Sequence, residues 1–281
     1  MSRTIPYDRS RRALYTPCAD AISLDASALG SEALLCAEMA RLVYCPFHDA
    51  NDGALIKEAI TAQLASIGFA QPKFIYGAAL QAFITVNPER QLGVLAYRGT
   101  QPDELRDIWT DLQVWPWRWA GSGWVHYGFA RNLKQKWGEI ESYLAKQSGI
   151  RLLYTGHSLG AALATLSAGL RPPDALYTFG SPRVGNATFA ASLANVRHER
   201  YVDCSDKVCQ VPSAGFYRHV GTQKYFDRDG ILRPNISDGD IAEDQRIAKE
   251  NYPRALDENV VFRNFADHAP VNYIYALRAM V

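Results

Sequence analysis

The sequence predicts an α/β fold whose mostly parallel sheet is covered by helices on both faces. Strand and helix patterns alternate between residues 152 and 203 with short links, as parallel strands joined by crossover helices require. The 281 residues are 48% apolar, enough to fill a large core without disulfide or metal staples. No internal repeat, low-complexity linker or break in composition divides the chain, so residues 1–281 read as a single domain.

Residues 1–28 are polar and irregular, an arm expected to lie over the domain. Ser31 followed by Leu34, Leu35, Met39, Leu42 and Val43 gives an N-cap and an apolar stripe at helical spacing. Residues 54–67 carry a second helical pattern. Residues 74–76, 82–86 and 92–97 read as strands, the last two joined as a hairpin through Asn87-Pro88. One long amphipathic helix is expected over 129–146, with Leu133, Trp137, Ile140 and Leu144 on one face. Then come a strand at 152–155, a helix at 158–170, a strand at 175–179, a helix at 187–194 and a strand at 200–203. Residues 217–220 and 224–226 read as a later hairpin, and 271–280 as a terminal helix.

Charge narrows the function classes. Thirty Lys and Arg against 29 Asp and Glu leave a net charge of +1, too little for a nucleic-acid footprint or for recruitment to anionic lipid by charge alone. The longest uncharged run, 152–170, contains Gly156, His157 and Ser158 and is too polar to span a bilayer. Arg11-Arg12 is followed by Asp20 and Asp25 rather than an apolar stretch, so no Sec signal is read. The expectation is a soluble protein, cytoplasmic or exported without a recognisable Sec signal. Five cysteines, with no C-x-x-C pair, rule out a fully paired framework and give no spacing support for a zinc site. Reduced thiols are the favoured reading.

The sharpest motif is Gly156-His157-Ser158-Leu159-Gly160, a G-x-S-x-G between a strand and a helix. A nucleophilic serine at such a turn needs a strained backbone that exposes its hydroxyl, and the flanking glycines clear side chains from the neighbouring elements. The pentapeptide alone occurs by chance; its strand-to-helix context favours catalysis over a plain connecting turn. Ala161, Ala162, Ala164 and Ala168 let the helix pack close to the sheet. The helix N-terminus favours negative charge nearby, which makes the Leu159 N–H a candidate oxyanion donor.

A serine hydroxyl needs a base, and in this architecture the partners follow as acid, then histidine. His198, His219 and His268 lie downstream of Ser158. His198 precedes a strand and His219 sits within one. His268, in a loop ahead of Pro270 and the last helix, is free to reach another element and is the choice. For the acid, Asp203 and Asp206 both follow the strand at 200–203, and spacing alone does not separate them. Asp267 reads as a cap of the last helix.

Several segments resemble the class 3 lipases, a family of α/β-hydrolases that includes fungal triacylglycerol lipases. Tyr97-Arg98-Gly99-Thr100 with Trp109 and Asp111-Leu112 resembles the family's R-G-T/S…W…D-L stretch. Val125 to Phe129 resembles its H-x-G-F motif, Gly156 to Gly160 its elbow, and Thr178 to Asn186 its second-strand signature. Val202, Asp206 and Val208 fall on its V-x-x-x-D-x-V run. The resemblance implies a catalytic set of Ser158, Asp206 and His268, with Thr100 joining Leu159 at the oxyanion. Cys209 departs from the pattern, standing where a proline commonly follows the D-x-V.

Five of the six tryptophans, Trp109, Trp115, Trp117, Trp119 and Trp124, fall in one short segment. Ahead of them Leu105, Ile108, Trp109 and Leu112 share one face of a helical pattern that starts at Pro102-Asp103-Glu104. Such a stripe is usually core. The resemblance instead implies a helical lid over about 101–119 that covers the acyl pocket and makes transient contact with a lipid interface.

The expected activity is hydrolysis of carboxylic esters, as in a triacylglycerol lipase or esterase, with an ester or lipid substrate, no cofactor, no metal, no nucleic-acid partner and no transmembrane span. The alternatives are a feruloyl-type or phospholipase-type esterase on the same scaffold, or a non-catalytic lipid-binding homologue.

Overall fold

The computed structural model describes residues 5–19, 24–99, 115–119, 122–253 and 258–281. Eight strands form the main sheet in the order β1 (Lys73–Tyr76), β2 (Gln81–Asn87), β3 (Leu92–Tyr97), β6 (Arg151–His157), β7 (Ala175–Phe179), β8 (His198–Asp203), β9 (Thr222–Phe226) and β10 (Leu232–Arg233). The five central strands β3, β6, β7, β8 and β9 run parallel; β1 and β2 at one edge and β10 at the other are antiparallel to their neighbours. A separate ribbon pairs β4 (Pro116–Arg118) with β5 (Trp124–His126).

Alternation along β6 divides the core into two layers. Leu153 joins the apolar cluster under α2 (Glu32–Leu42) and α10 (Pro270–Arg278), with Leu34, Met39, Phe83, Val94, Ile274 and Leu277. Leu152 and Tyr154 face the opposite cluster, built from α4 (Tyr127–Lys134), α5 (Trp137–Leu144), α6 (Leu159–Leu170) and α7 (Ala187–Ser192). Strands buried on both faces are what parallel pairing between crossover helices demands. Each fully buried leucine here contributes about 1.5–3 kcal/mol of transfer free energy.

Helix α2 starts where the Ser31 hydroxyl accepts from Leu34 N–H, and it is buried from Ala33 to Leu42. Its Glu38 meets Arg41 at 3.0 Å and Arg278 at 2.7 Å, so the charge carried into the core is paired twice. Helix α3 (Gly53–Ala65) precedes β1. Residues 5–19 and 24–30 hold more structure than an irregular arm: a short helix α1 (Arg11–Tyr15), capped by Ser10, and two 3₁₀ turns, Pro17–Ala19 and Ala26–Gly30.

The single helix expected over 129–146 is two helices, α4 and α5. Lys136 N–H bonds the Leu133 carbonyl at 3.1 Å, a tightened turn that ends α4 and redirects the chain. Leu133, Ile140 and Leu144 all remain buried on that path. The later hairpin is displaced. Residues 217–220 form no strand; β9 instead extends the parallel sheet beside β8, and its antiparallel partner is β10. A helix absent from the sequence reading, α8 (Asp238–Glu250), begins at Ser237, whose hydroxyl accepts from Asp240 N–H. The short α9 (Arg263–Ala266) precedes α10. Among the described residues no helix is long and apolar enough to cross a membrane.

Candidate active site

Strand β6 runs directly into α6 through Ser158, whose φ of 58° and ψ of −128° place a non-glycine residue in a strained conformation. The turn holds because Ser158 N–H bonds the Phe179 carbonyl at 3.0 Å and because Gly156 and Gly160 leave room for their neighbours. A Cβ on Gly156 would overlap the Gly160 backbone, and one on Gly160 would overlap the Tyr97 carbonyl. Strain of this kind persists only where the surroundings over-determine it.

Two other chain segments reach the serine turn. Asp206 lies just beyond β8, in a turn closed by its N–H on the Asp203 carbonyl. His268 lies between α9 and α10, its N–H on the Phe265 carbonyl. His268 Nδ1 is 2.9 Å from Asp206 Oδ2 and 3.0 Å from Oδ1. The carboxylate also accepts from Val208 N–H at 2.9 Å and from the Tyr273 hydroxyl at 2.6 Å. These donors satisfy a charge that is 1% exposed. With Nδ1–H held by Asp206, Nε2 is the imidazole nitrogen left to accept a proton. His268 Nε2 and Ser158 Oγ are both buried and have no hydrogen-bond partner among the described residues.

His157 supports this arrangement from within the elbow. Its Nε2 lies 2.8 Å from the His268 carbonyl, which can only accept, so Nε2 carries the proton. Nδ1 then accepts from the Tyr44 hydroxyl at 2.8 Å. The two imidazole rings lie 4.4 Å apart. Burial, and next the neighbouring His268, push the His157 pKa well below the ordinary value, so it stays neutral and keeps this tautomer.

The other sequence candidates are elsewhere. His198 opens β8, with Nε2 2.8 Å from the Thr178 hydroxyl, and His219 donates from Nε2 to the Cys209 carbonyl. The Asp203 backbone N–H donates to the Tyr273 hydroxyl at 3.1 Å, and burial pushes its carboxyl well up. Asp267 does not cap the last helix, where Ala269 takes that position. Its buried carboxylate instead faces Arg263 Nε at 3.2 Å and accepts from the Tyr7 hydroxyl at 2.7 Å and Ser205 N–H at 2.9 Å.

Leu159 is the first residue of α6, so its N–H lacks an intrahelical acceptor. It lines a cleft of about 240 Å³ with Gly99, Arg98, Gln81 and His48. Thr100, Leu105, Ile108, Trp109 and Leu112 lie outside the described residues, as does most of the expected lid. At the end of that segment Trp119 is buried, while Trp115, Trp117 and Trp124 are exposed. Tyr44, His157 and Tyr273 are the supporting residues that sequence reasoning missed. Only His157 carried a signal, its place inside the motif.

Residues 94–216 match the family model described as Lipase (class 3). The "Secreted mono- and diacylglycerol lipase A" of Penicillium cyclopium is 34% identical over 123 residues, covering 38% of this chain and 39% of that protein. "Toxin TseL" of Vibrio cholerae is 36% identical over 147 residues, covering 47% of this chain and 23% of that protein. The match thus spans less than half the length of these curated relatives. Among solved structures, a mutant form of MDLA from Penicillium cyclopium superposes with a TM-score of 0.58 at 23% identity, over 76% of this chain and 84% of that one. That likeness establishes the common fold, the α/β-hydrolase sheet with flanking helices. The resemblance of this chain to the class 3 lipase family therefore rests on residues 94–216, less than half of its length.

Proposed function

We propose that this protein is a serine hydrolase that cleaves carboxylic esters with apolar acyl groups, acting as a triacylglycerol lipase or esterase within one domain. The single observation behind this reading is His268, held at Nδ1 by Asp206, its carbonyl bonded by His157 of the strained Ser158 turn, and its Nε2 without a hydrogen-bond partner among the described residues.

His268 takes the Ser158 proton as Oγ attacks the ester carbonyl, and Asp206 stabilises the imidazolium that forms. The tetrahedral oxyanion is met by backbone N–H groups of Leu159 and Thr100, the latter assigned through the family resemblance. His268 then delivers its proton to the leaving alcohol, and water releases the acid from the acyl-enzyme. Losing one oxyanion donor should cost on the order of 10²–10³ in kcat. The relative from Penicillium cyclopium, a mono- and diacylglycerol lipase, supports glyceride esters as the substrate class. The family resemblance supports a lid role for the stretch 101–119, including Leu105, Ile108, Trp109 and Leu112, with transient lipid contact as part of this proposal. The uncharged balance of the chain suits a neutral substrate bound by apolar contact.

The test compares the unmutated protein with Ser158→Ala on p-nitrophenyl esters and emulsified glycerides, alongside fluorophosphonate labelling. The expected result is labelling and turnover that both vanish in the variant. Undiminished turnover by Ser158→Ala would overturn the assignment. A preference for short soluble esters, with no rise in rate at an emulsion surface, would retain the esterase and reject the lipase.

A further inference from the structure

Asp206 and His268 reach each other from separate loops, and a second junction joins those loops one residue back from each. Asp267 Oδ2 accepts from Ser205 N–H at 2.9 Å, alongside the Asp206–His268 pair. The Asp267 side chain is fully buried, and its Oδ1 accepts from the Tyr7 hydroxyl at 2.7 Å. Arg263 Nε lies 3.2 Å from both oxygens, and Arg263 Nη2 donates to the Arg228 carbonyl at 2.7 Å.

Tyr7 belongs to an N-terminal strap fastened along the segment that carries His268. Asp8 N–H donates to Asn272 Oδ1 at 2.8 Å, and Asn272 Nδ2 donates to the Asp8 and Ala266 carbonyls. Val260 N–H bonds the Arg9 carbonyl, and Arg11 N–H bonds the Glu258 carbonyl. The Arg263 guanidinium lies over the Tyr7 ring, 5.0 Å from its centroid.

We propose that Tyr7 and Asp267 are positioning residues that clamp the loops of Asp206 and His268 together, a role that rests on Ser158 being the nucleophile. One side-chain pair leaves two loops free to pivot about it, whereas two adjacent junctions fix both their separation and their angle. His268 Nε2 must meet the Ser158 hydroxyl within narrow limits, and a displacement of about 1 Å can cost on the order of 10² in rate. Asp267 holds its place only while its donors are complete, because a buried carboxylate is penalised for each missing bond. Burial pushes its pKa up to about 6, against the opposing Arg263 charge and the bonds from Tyr7 and Ser205. Lys207 N–H on the Asn264 carbonyl at 3.3 Å is a further tie, so losing the Tyr7 hydroxyl loosens the clamp without releasing it.

The experiment measures kcat, KM and the rate of fluorophosphonate labelling, with turnover expressed per labelled site and melting temperature followed in parallel. Tyr7→Phe should lower kcat and the labelling rate by about threefold to tenfold with KM unchanged. Asp267→Ala should lower both by about 100-fold. Asp267→Asn still offers Ser205 an acceptor and should fall between them. Adding Tyr7→Phe to Asp267→Ala should cost nothing further, because Tyr7 acts through Asp267. Tyr252→Phe is the structural comparison, since its hydroxyl donates to the Val260 carbonyl at 2.8 Å rather than to Asp267. It should lower the melting temperature and leave turnover per site unchanged. Normal turnover and labelling in Tyr7→Phe, or an equal loss in Tyr252→Phe, would overturn the clamp even if Asp267→Ala fails to fold. Turnover surviving in Ser158→Ala would overturn the nucleophile, and the clamp with it.

Discussion

The Tyr273 hydroxyl donates to Asp206 Oδ2 at 2.6 Å, on the same oxygen that His268 Nδ1 approaches at 2.9 Å. Tyr273 also accepts from Asp203 N–H, so one phenol joins the end of β8 to the carboxylate beyond it. Burial, and next the adjacent Asp206 charge, push the Tyr273 pKa well up, which keeps it a donor at every working pH. Tyr273→Phe removes a hydrogen bond to a charged acceptor, an interaction of about 1.5–3 kcal/mol. We expect kcat to fall by roughly tenfold or more with KM little changed, and the melting temperature to drop. Unchanged kcat would mean that Val208 N–H alone holds Asp206.

The two aspartates near β8 should respond in opposite ways. Asp206→Asn leaves His268 without a carboxylate and should cost on the order of 10⁴ in kcat. Asp203 is penalised by burial when ionised, so its cost to the fold is present above the unfolded value of 3.8. Asp203→Asn should therefore keep most of the activity and leave stability at pH 7 equal or higher. Steady-state kinetics and urea melts on both variants check this; equal losses in kcat would contradict it.

Gly180 occupies the left-handed region at φ 57°, and a Cβ there would come within 2.7 Å of Asp206 Oδ2 and 3.0 Å of the His268 ring. Gly180→Ala should cost about 1 kcal/mol or more in stability from the backbone alone. The larger effect should be on turnover, as the methyl forces Asp206 and His268 apart. A variant with normal kcat would show that both side chains can yield without loss.

Acid stability should depend on buried neutral histidines. Burial and the Arg200 charge push the His198 pKa down to about 3, while the unfolded side chain titrates near 6.5. Between pH 7 and pH 5 the unfolded chain gains a proton there that the folded chain refuses. His198 thus favours the fold above about pH 6.5 and loses that contribution progressively as pH falls toward 3. In His198→Gln the difference in unfolding free energy between pH 7 and pH 5 should shrink by about 2 kcal/mol. An unchanged difference in denaturant melts would refute it.

Local pattern made the parallel core legible. The strand and helix limits between 151 and 203 fall within a few residues of expectation because buried strands and alanine-rich helices carry dense periodic signals. The pattern failed where signal was sparse or where contacts overrode it. Helix α8 buries only Asp244 and Ala248, so it presents almost no apolar stripe, and its one cue was the Ser237–Asp240 cap. The division between α4 and α5 follows a single turn at Lys136, inside a stripe that looked continuous. The strand beside β8 shifted because the nearby segment 217–220 is held by isolated bridges and loop bonds.

By itself the sequence determined the alternating α/β architecture and the serine turn. Both are written in neighbouring residues: five positions suffice to specify a glycine-flanked elbow, and periodicity specifies the faces of the helices beside it. Only the tertiary structure decided how Asp206 meets His268, how Tyr44 reaches His157 and how Tyr273 braces Asp206. Each of these pairs joins an element to another more than 60 residues away. Such contacts depend on how packed layers bring chain crossings together, and no local propensity encodes that placement.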